Sequence, residues 1–240
     1  MPTDLLAAPE PRLTLARLID FIRRLAGRRP PRALGRLPSV EARASEPGDT
    51  LCFVFSGDGN WAMLVRGMSH ELARRGVACV GLRARTYFLR RRSPDEVARD
   101  VEAVLRHYLA AWGAGRVVLA GLSRGADVLP FVVRRLPRDL RRRVVLLALL
   151  SPARAANFRF RWADLLGHHE RPDDVPLLPE LRAIEDIPIV CVNGAKDAAA
   201  LCPSLPPGIA ECVTVDGGHN LARDHRLAAE LILARIAPQT

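Results

Sequence analysis

From Leu51 onward, short apolar runs alternate with longer stretches in which apolar residues recur at helical spacing. The runs Leu51–Phe55, Val77–Leu82, Val117–Ala120, Val144–Leu150, Ile187–Asn193 and Ala210–Val215 have the length and composition of strands buried on both faces. Between them, Met63–Arg75, Pro94–Trp112, Arg124–Arg135 and Leu221–Ile236 carry an apolar stripe and predict helices. The helix from Pro94 has a well-marked start. Ser93 can cap it, proline suits the first helical position, and Asp95 and Glu96 favour the positive end of the helix dipole. Such alternation predicts an α/β fold, a mainly parallel sheet with helices on both faces. Between Ser151 and Asp186 the pattern weakens, and Trp162, His168, His169 and several prolines fall there. That segment reads either as a small cap above the sheet's C-terminal edge or as an ordinary connection.

Ahead of the alternation, Leu15, Leu18, Ile19, Ile22, Leu25 and Ala26 share one helical face, with Arg17, Asp20, Arg23 and Arg24 opposite. Residues 1–36 are therefore read as an amphipathic helix and linker, and 37–240 as one catalytic domain. The helix suits packing on the domain or a partner, or lying on a membrane surface with its arginines toward lipid headgroups. Its charges interrupt the apolar core that a signal peptide requires. No stretch reaches the roughly 20 apolar residues of a spanning helix. A cytoplasmic protein, or one peripheral to the inner membrane, is the expectation.

The formal charge of +10 changes the picture less than its size suggests, because Lys196 is the only lysine among 36 basic residues. Such replacement of lysine by arginine resembles a coding bias, and no aromatic-plus-basic platform accompanies it, so nucleic acid is not an expected partner. Attraction to anionic phospholipid fits better. Five cysteines imply no disulfide framework, although Cys191 and Cys202 stand close enough to pair around a loop. No group has convincing metal-ligand spacing, His168-His169-Glu170 included, and no cofactor is expected.

The strongest chemical signal is Gly121-Leu122-Ser123-Arg124-Gly125 between an apolar run and a helical stretch. A nucleophile elbow needs that context: a serine on a sharp strand-to-helix turn, with small residues letting the backbone approach closely. A helix-capping serine is the simpler alternative. Serine needs a base, and the base needs an orienting acid. His219 follows the last strand, in Asp216-Gly217-Gly218-His219-Asn220, where the catalytic histidine of an α/β-hydrolase belongs. Asp197 leaves the preceding strand in Asn193-Gly194-Ala195-Lys196-Asp197 and is the favoured acid, with Asp216 the competitor. Oxyanion donors are expected from the backbone N–H of Arg124 and from Gly57 and Asp58 in Ser56-Gly57-Asp58-Gly59-Asn60-Trp61. That glycine-rich turn lacks the Lys and Ser/Thr of a phosphate-binding loop.

These loops, with Gly121 to Pro130, Arg134-Arg135-Leu136-Pro137, Leu147 to Pro152, Leu201-Cys202-Pro203 and Gly217-Gly218-His219, resemble the bacterial VirJ/AcvB virulence-protein family. The resemblance implies an α/β-hydrolase that cleaves the aminoacyl ester of lysyl-phosphatidylglycerol at Ser123, the enzyme contacting the membrane peripherally. Asp58, Asp127 and Trp61 are then the expected substrate-binding residues, the two aspartates facing the substrate's ammonium groups. A general carboxylesterase or acyltransferase, or a non-catalytic secretion-associated binding module, are the other readings. Three features depart from the family: Asn60 stands where a third glycine is usual, Asn220 replaces a second histidine, and no export signal accompanies a family whose members are typically periplasmic.

Overall fold

The computed structural model describes residues 35, 37, 39–46, 48–61, 63–166 and 171–236. The amphipathic helix and most of the linker read in residues 1–36, and His168 and His169, lie outside these. Nine strands are described: β1 (Ser39–Ala42), β2 (Thr50–Phe55), β3 (Ala78–Leu82), β4 (Arg116–Leu122), β5 (Val144–Leu150), β6 (Ala155–Ala156), β7 (Val175–Pro176), β8 (Ile189–Gly194) and β9 (Glu211–Val215). The helices are α1 (Met63–Arg74), α2 (Ala84–Tyr87), α3 (Pro94–Trp112), α4 (Arg124–Arg135), α5 (Arg138–Arg141), α6 (Leu178–Arg182) and α7 (His225–Ile236).

Seven strands form one sheet in the order β1-β3-β2-β4-β5-β8-β9. All neighbours are parallel except β1, which runs antiparallel to β3. The period-2 alternation of each strand divides its side chains between two cores. Leu51, Phe53 and Phe55 of β2 join Leu119 of β4 beneath α3 and α4, while Cys52 and Val54 join Val118 and Ala120 beneath α1 and α7. Both faces are thus covered, which is why the strand runs read as continuously apolar. Among the described residues, no helix is long and apolar enough to cross a membrane.

Helix α3 starts as its sequence dictates. The Ser93 hydroxyl accepts from the N–H of Glu96 at 3.1 Å, and the Glu96 carboxylate accepts from the N–H of Ser93 at 2.8 Å. This reciprocal cap satisfies two otherwise orphaned donors. The last helix begins later than its apolar spacing predicts. Leu221, Ala222 and Arg223 all adopt positive φ, of 49°, 51° and 61°, and α7 opens only at His225, with the Asp224 carboxylate accepting from the N–H of Leu227 at 2.9 Å. The left-handed turn buries Leu221 in the core beneath α1 and α7, and that burial overrides helix continuity.

The described residues of the segment 151–186 include the short antiparallel β6–β7 pair, a 3₁₀ turn at Trp162–Leu166 and α6. Edge-to-face aromatic contacts anchor it: Phe158 lies 5.2 Å from Phe131 of α4 and 6.3 Å from Phe88, between ring centroids.

Candidate active site

Sheet order decides where a site can form. From β2 the chain crosses to β3 on one side and then to β4 on the other, so the loops leaving β2 and β4 diverge and open a crevice at the C-terminal edge. The loop after β2 carries Gly57 and Asp58, and the turn after β4 carries Ser123. Ser123 has φ 52° and ψ −124°, a strained conformation for a residue with a Cβ. It is held there from both sides: its N–H donates to Leu150 at the end of β5, and its carbonyl accepts from the N–H of Asp127, one turn into α4. The backbone of α4 lies so close to the end of β2 that a Cβ at Gly125 would overlap the Phe55 carbonyl. The flanking glycine is therefore a packing requirement.

The other two residues of the relay arrive from β8 and β9. A Cβ at Gly194 would overlap the carbonyls of Gly217 and Gly218, so the two loops pack backbone to backbone. The N–H of Lys196 donates to Gly217 at 2.9 Å and that of Ala195 to Val215 at 2.8 Å. These contacts place Asp197 Oδ2 2.9 Å from His219 Nδ1, while His219 Nε2 lies 2.9 Å from Ser123 Oγ. Asp197 is buried, its Oδ1 accepting from the N–H of Ala199 at 3.2 Å, whereas His219 is half-exposed. Asp216, the competing acid, is exposed and makes no hydrogen bond to His219. A disulfide between Cys191 and Cys202 ties β8 to the end of the Asp197 loop, and the sulfur of Cys212 on β9 converges on the same point. Sequence spacing did not reveal that convergence, because β8 and β9 pair Cys191 with Cys212 in register. The other described histidines stand apart: His70 is exposed on α1, His107 meets Tyr108 edge-on, and His225 packs against Gly67.

The relay opens into a cavity of about 690 Å³. Gly57 lies against Ser123 there, and its turn closes through an N–H of Asn60 donating to the Gly57 carbonyl at 2.9 Å. Asn60 has φ 56°, which asparagine tolerates better than most residues, so the usual glycine is not needed. The first-turn N–H groups of α4, that of Arg124 included, have no acceptor of their own within the helix.

Of the three expected substrate-binding residues, Asp58 and Asp127 line the cavity and Trp61 does not. Trp61 packs across Gly81 into the core beneath α1 and α7, away from the cavity lining. Asp58 is taken by the side chain of Arg124, which donates from Nε at 2.6 Å and from Nη2 at 3.0 Å. The same guanidinium donates to Asp164 at 2.7 Å and to the carbonyls of Asn157 at 2.7 Å and Arg159 at 3.2 Å. Burial works against the charge of Arg124, but Asp58, Asp164 and Asp127 outweigh it and raise its pKa. Burial also pushes the Asp164 carboxyl up, yet the N–H of Arg161 and the guanidinium groups of Arg171 and Arg124 hold it below its ordinary value.

Asp127 is buried, accepts from the N–H of Ala153 at 2.7 Å, and is pushed up to about 8, chiefly by burial, against the pull of that N–H and Arg124. The same shift has a stability consequence. The folded state holds this proton between about pH 4 and pH 8, where the unfolded chain has released it, so its contribution falls as pH rises through that window and levels off above it. Unfolding free energies from urea denaturation at pH 5 to pH 9 should decline by at most about 1.4 kcal/mol per pH unit from this group, and Asp127→Asn should flatten the decline.

The cavity residue that sequence reasoning missed is Asp174. It accepts from Asn157 Nδ2 at 2.7 Å and from the N–H of Arg171 at 2.9 Å, and among the described residues no cationic side chain pairs with it. Arg223, which also lines the cavity, likewise has no ion-pair partner among them. Among the described residues, the cavity thus offers the Asp174 carboxylate and the Arg223 guanidinium without ion-pair partners.

A family model described as bacterial virulence protein (VirJ) matches residues 49–239. No curated protein matches the chain in sequence. Among solved structures, Est1E from Butyrivibrio proteoclasticus is similar at 14% identity, covering 83% of this chain and 94% of its own, with a TM-score of 0.60. An alpha-beta serine hydrolase homologue from Coxiella burnetii matches at 16% identity over 83% and 91%, with a TM-score of 0.59. TT1662 from Thermus thermophilus matches at 19% identity over 83% and 92%, with a TM-score of 0.54. These likenesses establish the α/β-hydrolase fold.

Proposed function

The chain belongs to the bacterial virulence protein VirJ family, and we propose that it is a serine esterase releasing the aminoacyl group of an aminoacylated phospholipid such as lysyl-phosphatidylglycerol. The observation that carries the reading is the continuous relay Ser123–His219–Asp197, with both hydrogen bonds at 2.9 Å, opening into the cavity.

In this mechanism His219 Nε2 takes the Ser123 proton as Oγ attacks the ester carbonyl, and Asp197 stabilises the imidazolium through Nδ1. The negative oxygen of the tetrahedral intermediate meets the N–H of Arg124 and the N–H groups of the Gly57–Asp58 turn. Collapse returns the proton from His219 to the departing lipid alcohol, leaving an aminoacyl ester on Ser123. Water activated by the same histidine then releases the amino acid.

The uncompensated pair in the cavity supports the substrate class. Asp174 suits an aminoacyl ammonium, and Arg223 suits the lipid phosphate. Asp174→Asn is expected to lower kcat/KM for lysyl-phosphatidylglycerol about tenfold, the worth of one partly screened ion pair, and to leave a neutral short-chain ester unaffected. An equal loss on both esters would remove the ammonium role.

The substrate assignment is tested by comparing turnover of lysyl-phosphatidylglycerol with that of short acyl esters, using Ser123→Ala as the blank. Activity on short esters alone would favour a general carboxylesterase and end the lipid assignment.

A further inference from the structure

We propose that the mouth of the cavity is a docking surface for an anionic phospholipid bilayer. The proposal extends the esterase reading by saying how a lipid ester reaches Ser123, but docking itself needs none of the relay residues. Among the described residues the exposed large apolar side chains are Met63, Leu89, Trp162, Leu165 and Val175, with Trp162 70% and Met63 66% exposed. Met63, Leu165 and Val175 belong to segments that line the cavity, and Trp162 shares a 3₁₀ turn with Asp164 and Leu165 of that lining. Met63 and Leu165 line it, and Val175 directly follows Asp174, which lines it too. Trp162 packs edge-on against Phe160, 5.4 Å between centroids. The N–H of Phe160 donates to the Phe88 carbonyl at 2.8 Å, which brings Leu89 alongside.

Singly exposed apolar residues are ordinary, but several gathered at one cavity mouth mark an interaction site. Three observations favour lipid over a protein partner as the occupant. The cluster is led by a tryptophan, whose ring and N–H suit the boundary between headgroups and acyl chains. Exposed arginines interleave with it: Arg90 and Arg91 follow Leu89, and Arg159 lies between Phe158 and Phe160. Of these, only Arg90 has an ion-pair partner among the described residues, Glu96 at a distant 3.9 Å. A cationic rim around an apolar centre complements an anionic lipid surface, each arginine near such a surface adding about fivefold in affinity. Finally, His219 is half-exposed at the same mouth, so the reacting atoms lie within reach of a headgroup without extraction of the whole lipid.

The test uses the full chain carrying Ser123→Ala, so that binding is read without turnover, and vesicles of phosphatidylcholine with and without phosphatidylglycerol. Part of the lipid carries brominated acyl chains, which quench tryptophans at the interface. The expected result is co-sedimentation that depends on phosphatidylglycerol, with quenching that disappears in Trp162→Phe. In the otherwise native chain, Leu89→Ala/Trp162→Ala should weaken vesicle binding tenfold or more and leave turnover of a soluble short-chain ester intact. Arg90→Ala/Arg91→Ala should reduce the phosphatidylglycerol dependence by more than tenfold. Failure to bind phosphatidylglycerol vesicles, or binding with Trp162 unquenched, would overturn the proposal; the latter would assign membrane contact elsewhere or this face to a protein partner. If Trp162 is quenched but no aminoacyl lipid is cleaved by the native chain, docking stands and the esterase reading falls.

Discussion

Ser123→Ala is expected to reduce ester turnover by about 10⁴-fold or more while leaving the fold intact. The size follows from the relay acting as a unit: without Oγ there is no covalent intermediate, and the His219–Asp197 pair has nothing to activate. The N–H groups of Arg124 and the Gly57–Asp58 turn would sustain only the residual rate due to electrostatic stabilisation and binding. Stability should be unchanged or slightly raised, because Ser123 makes its structural contacts through its backbone N–H and carbonyl, which alanine keeps. Steady-state assays and urea denaturation on the same preparations would measure the two quantities. A variant inactive because it is unfolded would not support a chemical role for Ser123.

The second large effect is structural. Arg124→Met should destabilise the protein by about 3–5 kcal/mol, the usual consequence of removing one partner from a buried ion pair. In the native site Arg124 is 7% exposed, and its Nε and both Nη atoms donate to Asp58, Asp164 and two backbone carbonyls. Methionine fills much of the volume but leaves Asp58 without its cation and deprives Asp164 of one of two. Arg124→Lys keeps the charge and loses the planar fork, so a smaller loss of about 1–2 kcal/mol is expected. Urea midpoints of the two variants should therefore rank methionine well below lysine. Equal losses would mean that volume, not charge, sets the stability of this corner.

Arg124 also marks where reading the sequence stops. Strands β2, β4, β5 and β8 were legible because burial on both faces makes them nearly continuous apolar runs. Strand β1 was not. It is a short edge strand of alternating character, and its pairing with β3 depends on a register spanning some forty residues, Ser39 with Leu82. The relay was legible for a local reason: each member sits in a loop leaving a recognisable strand, and strand order puts those loops side by side. The partners of Asp58 and Asp127 were hidden, since Arg124 lies 66 residues from Asp58 and the Ala153 N–H lies 26 residues from Asp127. Opposite charge near the Ser123 loop suggested substrate contacts, and the same two carboxylates, which line the cavity, also hold Arg124 and the Ala153 N–H. Asp174 went unseen because the 151–186 segment lacks periodicity. Its density of Asp and Arg, unusual for a simple connection, was the available signal.

A fluorophosphonate probe, followed by mass mapping of the modified peptide, tests the central claim most directly, because it asks for an activated serine without presuming a substrate. The account predicts a single adduct on Ser123, slowed by Asp197→Asn and absent in Ser123→Ala. No labelling of the folded protein at any pH, or labelling that persists in Ser123→Ala, would contradict it.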